Sequence, residues 1–322
     1  MPSKCTFICG LNLVKFDRDI LDDVIFITNT GNKLIPPIRL TNDKERVKNL
    51  FSKEFYHSIG AIEFNHLLNG YPIVAFSETE VEFDEGGPMS YLNNHFFVLQ
   101  ALFFSMWIVK EHSATFDIGY LIVKTDENHP TISSNMLSQT LSKIDGLYTS
   151  TTFSLDEMRT VSDFLKKYIT VQTDKASAGV KTGSKERIST AQYFLQSALH
   201  APDVGLKAIG YCSVFETLFS SGSQSELSHR LAERVAKFIE SNLENRVSTY
   251  KMMKKIYDVR SKVVHGALHT FKKTEELLPI VQTADAICRR VMLYAFTTAD
   301  EENIFRMEND RLDDYFLRLI LK

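Results

Sequence analysis

The sequence predicts an α+β protein. A mixed α/β domain over residues 1–150 is followed by a helix and linker over 151–186, then by an all-α bundle over 187–322. Three observations predict this. Short β-branched apolar runs, bounded by turn residues, recur in the first half. From Arg187 onward the apolar residues fall almost entirely at helical spacing. The charge also divides: residues 1–150 hold 12 Lys and Arg against 18 Asp and Glu, and residues 151–322 hold 25 against 22.

Thr6 to Val14 and Asp23 to Thr28 are short, apolar and β-branched, as strands are. Lys33 to Leu40 reads as a third strand, demoted to an edge by Pro36-Pro37. Asn42 to His57 reads as a helix. Tyr71 to Phe83 is a strand whose later part alternates, Val81 and Phe83 against Glu80, Glu82 and Asp84, so one face is buried and the other acidic. Gly86-Gly87-Pro88 ends it. Phe96 to Val109 is apolar but spans only 14 residues with an internal Gln100, and about 20 are needed to cross a bilayer. It is expected to be the core helix of a small sheet, with Phe116 to Lys124 as a further strand.

Ser154 and Glu157 form a capping box for a helix to about Thr170. Residues 171–185 are polar, contain Gly and Ser, and lack periodicity, so they are expected to be a mobile loop or linker. Five helical stretches follow. They are Arg187 to His200, a helix after Pro202 ending at Phe219, one opened by a Ser223–Glu226 capping box, Val247 to His265 stopped by Gly266, and Thr274 to Phe296 with Pro279 near its start. A last charged segment carries Ile304, Phe305, Leu312, Phe316 and Ile320.

The chain of 322 residues is 44% hydrophobic and 24% charged, the balance of a globular protein with real cores. Four cysteines (Cys5, Cys9, Cys212 and Cys288) make no disulfide framework and point to a reducing, cytoplasmic setting. Cys5 and Cys9 lack companions at zinc spacing and read as small core residues. The N-terminus lacks a basic region followed by an apolar one, so no signal peptide and no membrane partner are expected. No residue cluster calls for a metal or cofactor.

The stretch Tyr257-Asp258-Val259-Arg260-Ser261-Lys262-Val263-Val264-His265-Gly266 carries the chemistry. It lies in the most basic part of the chain, where Arg246 to Lys273 holds eight basic residues and one acid, the footprint of a polyanion site or of a solvated helix face. Arg offers a permanent charge and a fork of donors to a phosphate, and His trades protons near neutral pH. An Arg and a His at one given spacing are expected about 0.4 times in this composition, so spacing alone decides nothing. Arg260, however, is in phase with Met253, Ile256, Tyr257 and Val264, on or beside the core-facing stripe of its helix, where it needs a partner. Glu216, set among Phe215, Leu218 and Phe219, is the interior acid that could hold it, as part of a site or as a plain buried ion pair. Five residues along an ideal helix turn through about 140°, so one chain does not aim Arg260 and His265 at one point unless the helix unwinds, and a two-fold partner could complete the site.

Three pieces, FETLF at 215–219, ELSHRLAERVAKFI at 226–239 and YDVRSKVVHG at 257–266, resemble the Apea-like HEPN domains over the C-terminal third of the chain. The resemblance implies a helical bundle that dimerises through its Arg-His helix and a metal-independent endoribonuclease at that interface, serving phage defence or toxin-like growth arrest. It implies Arg260 and His265 as the catalytic pair, Ser261 at a third position where many relatives have Asn, Asp or His, and Glu216 as the acid of the earlier helix. Lys254, Lys255, Lys262, Lys272 and Lys273 would hold the RNA backbone without reading its sequence. The alternative is a non-catalytic dimeric scaffold that binds RNA or protein. A third expectation is a bundle masked by the acidic N-terminal half, which the resemblance does not cover.

Overall fold

A computed structural model describes residues 2–19, 24–26, 35–124, 130–137, 140–177, 187–220, 226–266 and 274–321. The chain forms two compact units, Met1–Leu141 with Tyr148–Ala178, and Ser142–Leu147 with Gly179–Lys322.

The first unit is built on strands β1 (Ser3–Asn12), β3 (Val24–Phe26), β4 (Ile38–Thr41), β5 (Ile73–Val81), β6 (Thr115–Lys124) and β7 (Thr131–Met136). They pair antiparallel in the order β3-β4-β5-β1-β6-β7. A separate parallel pair joins β2 (Val14–Phe16) to β8 (Thr151–Phe153). Successive strand residues point to opposite faces, and in β1 both faces are covered. Phe7 stacks on His95 of helix α3 (Gly87–Val109) at 4.1 Å between ring centroids. Its neighbour Ile8 packs on the other side with Val47 of α1 (Lys44–Asn49) and Phe55 of α2 (Lys53–Asn65). A π-helical turn at His66–Gly70 leads from α2 into β5.

Helix α3 is long and apolar enough to cross a membrane, but 72% of its apolar window is buried within the protein, as the core-helix reading expects. Its His95 is sealed between Ser77 Oγ at 2.8 Å and the Tyr91 carbonyl at 2.9 Å, and burial holds its pKa down at about 3, so it stays neutral. Gly86-Gly87-Pro88 lies beyond the end of β5, as expected, but it also starts α3, well before the expected Phe96, with Pro88 in the first turn, where its missing N–H leaves no bond unmade. The single helix expected over Asn42 to His57 breaks at Leu50–Ser52, because the Ser52 hydroxyl caps a new start by accepting from Phe55 N at 3.2 Å.

The capping box at Ser154 forms as expected. Ser154 N donates to Glu157 Oε2 at 2.7 Å, and Glu157 N to Ser154 Oγ at 3.2 Å. Helix α4 (Leu155–Ser177) runs past Thr170 and packs on α3, with Phe104 against Tyr168 at 4.9 Å. It therefore belongs to the first unit, and its last turns occupy part of the expected linker. The rest of that linker, 178–186, lies outside the described residues, as do Lys33 and Leu34 of the expected Lys33 to Leu40 strand, and Ser223.

The second unit is helical: α5 (Arg187–His200), α6 (Val204–Phe219), α7 (Leu227–Ile239), α8 (Leu243–Val264), α9 (Thr274–Thr297), one 3-10 turn (Ile304–Arg306) and α10 (Asn309–Ile320). Helix α6 touches α5, α7, α8 and α9. Ala208, Tyr211, Cys212, Phe215, Leu218 and Phe219 are buried, as expected. Phe219 meets the rings of Phe238, Phe305 and Phe316. Of the expected Ser223–Glu226 capping box only Glu226 lies within the described residues. Helix α7 begins only at Leu227, and Glu226 stands before it at φ 52 with no side-chain cap.

Candidate functional site

Helix α8 opens at Leu243, four residues before the expected start, because Asn242 caps it by accepting from Asn245 N at 2.8 Å. It closes as expected. His265 N–H reaches the Ser261 carbonyl and Gly266 N–H the Val263 carbonyl, both at 3.1 Å. Gly266 has φ +69 and open space around its Cα, so it is needed there for backbone conformation and not for room.

Met253, Ile256 and Val259 form the buried stripe of α8. Arg260 follows at its margin, with 29% of its side chain exposed, and reaches toward α6. Its Nη2 lies 3.7 Å from Glu216 Oε2, an ion pair longer than an ordinary hydrogen bond. Its guanidinium carbon sits 5.7 Å from the centre of the Tyr257 ring, within cation–π range. Arg260 Nε is buried with no hydrogen-bond partner, a costly state for an arginine. Glu216 also accepts weakly from Cys212 Sγ at 3.8 Å. Burial first, and Glu216 next, push the Cys212 thiol upward, so it stays protonated and inert. The structure thus brings Arg260 and Glu216 together as expected. It adds Tyr257 and Cys212, whose place was foreshadowed by their spacing, three residues before Arg260 and four before Glu216.

His265 is exposed at the end of α8. The helix is unbroken through Val264, so the rotation of about 140° between positions 260 and 265 stands. Among the described residues no hydrogen bond or ion pair joins Arg260 to His265. Ser261 is half-buried, and its carbonyl serves the cap of α8. Lys254 and Lys255 are exposed. Lys262 is half-buried and paired with Asp258 at 2.8 Å, which removes part of the charge expected of it. Lys272 and Lys273 lie outside the described residues. One polar pair was not foreseen. Tyr250 Oη lies 3.1 Å from His229 Nδ1, tying α8 to α7, and sequence offers no sign of it because the two residues share no local pattern.

The arrangement gives a fixed cation at the α6–α8 edge and a solvent-facing imidazole about 1.4 turns further along a basic helix. Among the described residues no group of three or more His, Cys, Asp or Glu side chains is gathered where a metal ion could be held. Comparison of the chain with protein-family models, with curated proteins and with solved structures finds no match.

Proposed function

We propose that the protein is a metal-independent endoribonuclease of the HEPN type, acting as a homodimer in the cytoplasm, in phage defence or toxin-like growth arrest. The observation that carries the reading is Arg260, anchored by Glu216 at the end of a basic helix whose exposed cap residue is His265. In this reading the ribose 2′-OH attacks the adjacent phosphorus as His265 takes its proton. The P–O5′ bond breaks, leaving a 2′,3′-cyclic phosphate, and the departing 5′-oxygen takes a proton from the protonated His265 of the second copy. Arg260 faces the non-bridging oxygens as charge builds on them, an electrostatic role. Lys254 and Lys255 hold the backbone. Because positions 260 and 265 diverge on one helix, a second copy supplies the other half of each site.

The experiment is purified protein on RNA with EDTA present. Cleavage leaving cyclic phosphate ends, and abolished in Arg260→Ala and in His265→Ala, is the expected result. Full activity in both variants would sink the proposal. A second reading is favoured by one observation: Arg260 is seated beside Glu216 and over the Tyr257 ring, as a structural arginine would be. In that reading the bundle is a non-catalytic scaffold, RNA is retained without product, and Arg260→Ala costs stability alone.

A further inference from the structure

The N-terminal unit holds a cavity that the ribonuclease reading does not use. It has a volume of about 380 Å³, within the range of about 300–1,000 Å³ common for small-molecule sites. Lys15 of β2 and Lys44 at the start of α1 both line it, and no carboxylate does. Asp43, next to Lys44 in sequence, is turned away to cap α1, accepting from Glu45 N at 2.9 Å. Among the described residues neither lysine makes an ion pair. This matters in a region that carries 12 basic residues against 18 acidic ones: two uncompensated ammonium groups on one cavity make a local site for an anion.

The rest of the lining mixes apolar Val47, Leu68 and Val74 with polar Thr41, Asn42 and Asn69. Tyr71 completes it and is held rigidly. Its ring is pressed so close to Gly10 that a Cβ there would lie 2.2 Å away, and it stacks on His66 at 4.5 Å. Burial, with Asp117 nearby, pushes the Tyr71 phenol up to about 12, so Tyr71 stays uncharged. A bare phosphate would satisfy the lysines but leave Leu68, Tyr71 and most of the volume unused.

We propose that this cavity binds a nucleoside monophosphate, its phosphate on Lys15 and Lys44 and its sugar and base against the half-buried Leu68 and Tyr71. The test is calorimetric titration of the full chain with AMP, GMP, CMP and UMP, alongside adenosine and inorganic phosphate. At least one nucleotide should bind, with adenosine and inorganic phosphate each about tenfold weaker or more. Binding should weaken as salt rises. The Lys15→Ala/Lys44→Ala variant, altered only at exposed side chains, should lose about tenfold in affinity with an unchanged melting curve. Leu68→Trp, which fills the cavity without touching its charge, should abolish binding. Three outcomes would overturn the proposal: no binding by any of the four nucleotides, binding unchanged in the double lysine variant, or inorganic phosphate binding as tightly as the nucleotide.

Discussion

Glu216→Gln separates a positioned catalytic arginine from a structural ion pair, because it removes the charge and keeps the shape. The two charged groups are 3.7 Å apart. At an effective dielectric of about 20 the gross attraction is about 4.5 kcal/mol. The side chains are 29% and 20% exposed, so solvent screens the pair and desolvation offsets part of the rest. A net value of about 1 kcal/mol is expected, near the top of what partly exposed pairs contribute. For a helical unit of this size that lowers the melting midpoint by about 2–4 °C. In the proposed mechanism the same change frees the guanidinium from its seat, and cleavage should fall about tenfold, equivalent to about 1.4 kcal/mol of transition-state stabilisation, with RNA affinity little changed. Arg260→Ala should cost about 10²–10³ in rate. Arg260→Lys should not restore it, since an ammonium lacks the planar fork. The double variant Glu216→Gln/Arg260→Ala should be no slower than Arg260→Ala alone, because Glu216 acts only through Arg260. The assay is single-turnover cleavage of end-labelled RNA in EDTA, run beside urea denaturation of each variant. A Glu216→Gln protein that is destabilised yet cleaves at the wild-type rate would refute the positioning argument, and additive losses in the double variant would refute it independently.

Three further outcomes follow from the packing. Gly146 sits at φ +80 with the Pro202 carbonyl oxygen only 1.9 Å from where a Cβ would stand. Gly146→Ala combines left-handed strain of about 1–2 kcal/mol with a backbone collision, and should lower the urea midpoint by more than a surface change does; a wild-type midpoint would contradict the docking of residues 142–147 on the helical unit. All four thiols are buried, that of Cys5 pushed up to about 11 and those of Cys9, Cys212 and Cys288 also raised, each chiefly by burial. A thiol-reactive dye at pH 8 should therefore label the native protein slowly and label all four cysteines only after denaturation, and rapid native labelling of Cys212 would count against its seat beside Glu216. For Glu157 burial acts to raise the pKa, but Lys110 Nζ at 2.6 Å and the Ser154 cap outweigh it, so the folded value is depressed. The resulting stabilisation is fully present above the unfolded carboxylate value of about 4.3 and is lost as pH falls through the folded one. Glu157→Gln should flatten that acid limb of the stability curve, and an identical acid slope in wild type and variant would contradict the assignment.

What the chain reveals before folding is what local periodicity and capping control. The buried face of α6 and the Ser154–Glu157 box were legible because each depends on residues three or four apart. Strand β7 was not, since Thr-Ile-Ser-Ser-Asn-Met is a mostly exposed edge strand, set by pairing with β6 and not by its own side chains. The parallel pair of β2 with β8 joins residues some 137 positions apart, and no local pattern encodes it. The docking of residues 142–147 escaped notice for a similar reason: it is held by the buried Lys207, whose Nζ donates to the Ser142 carbonyl at 3.1 Å and the Ala198 carbonyl at 2.9 Å. A lysine is not read from sequence as a core residue.

The candidate site divides along the same line. Helical phase put Arg260 at the edge of the core, and the search for a counter-charge led to Glu216. The distance between them depends on how α6 and α8 pack, so the contact became visible only in the fold. That contact serves either function equally well, because a partly buried guanidinium needs an acid whether it stabilises a transition state or merely fills a place in the bundle. His265 supplies the asymmetry. It is exposed, and among the described residues it makes no side-chain hydrogen bond or ion pair, so the bundle gains little from keeping an imidazole there. Substituting it should leave the melting curve unchanged, and a loss of cleavage in His265→Ala would then report chemistry and not stability. Arg260 alone cannot offer so clean a reading, since its removal disturbs both.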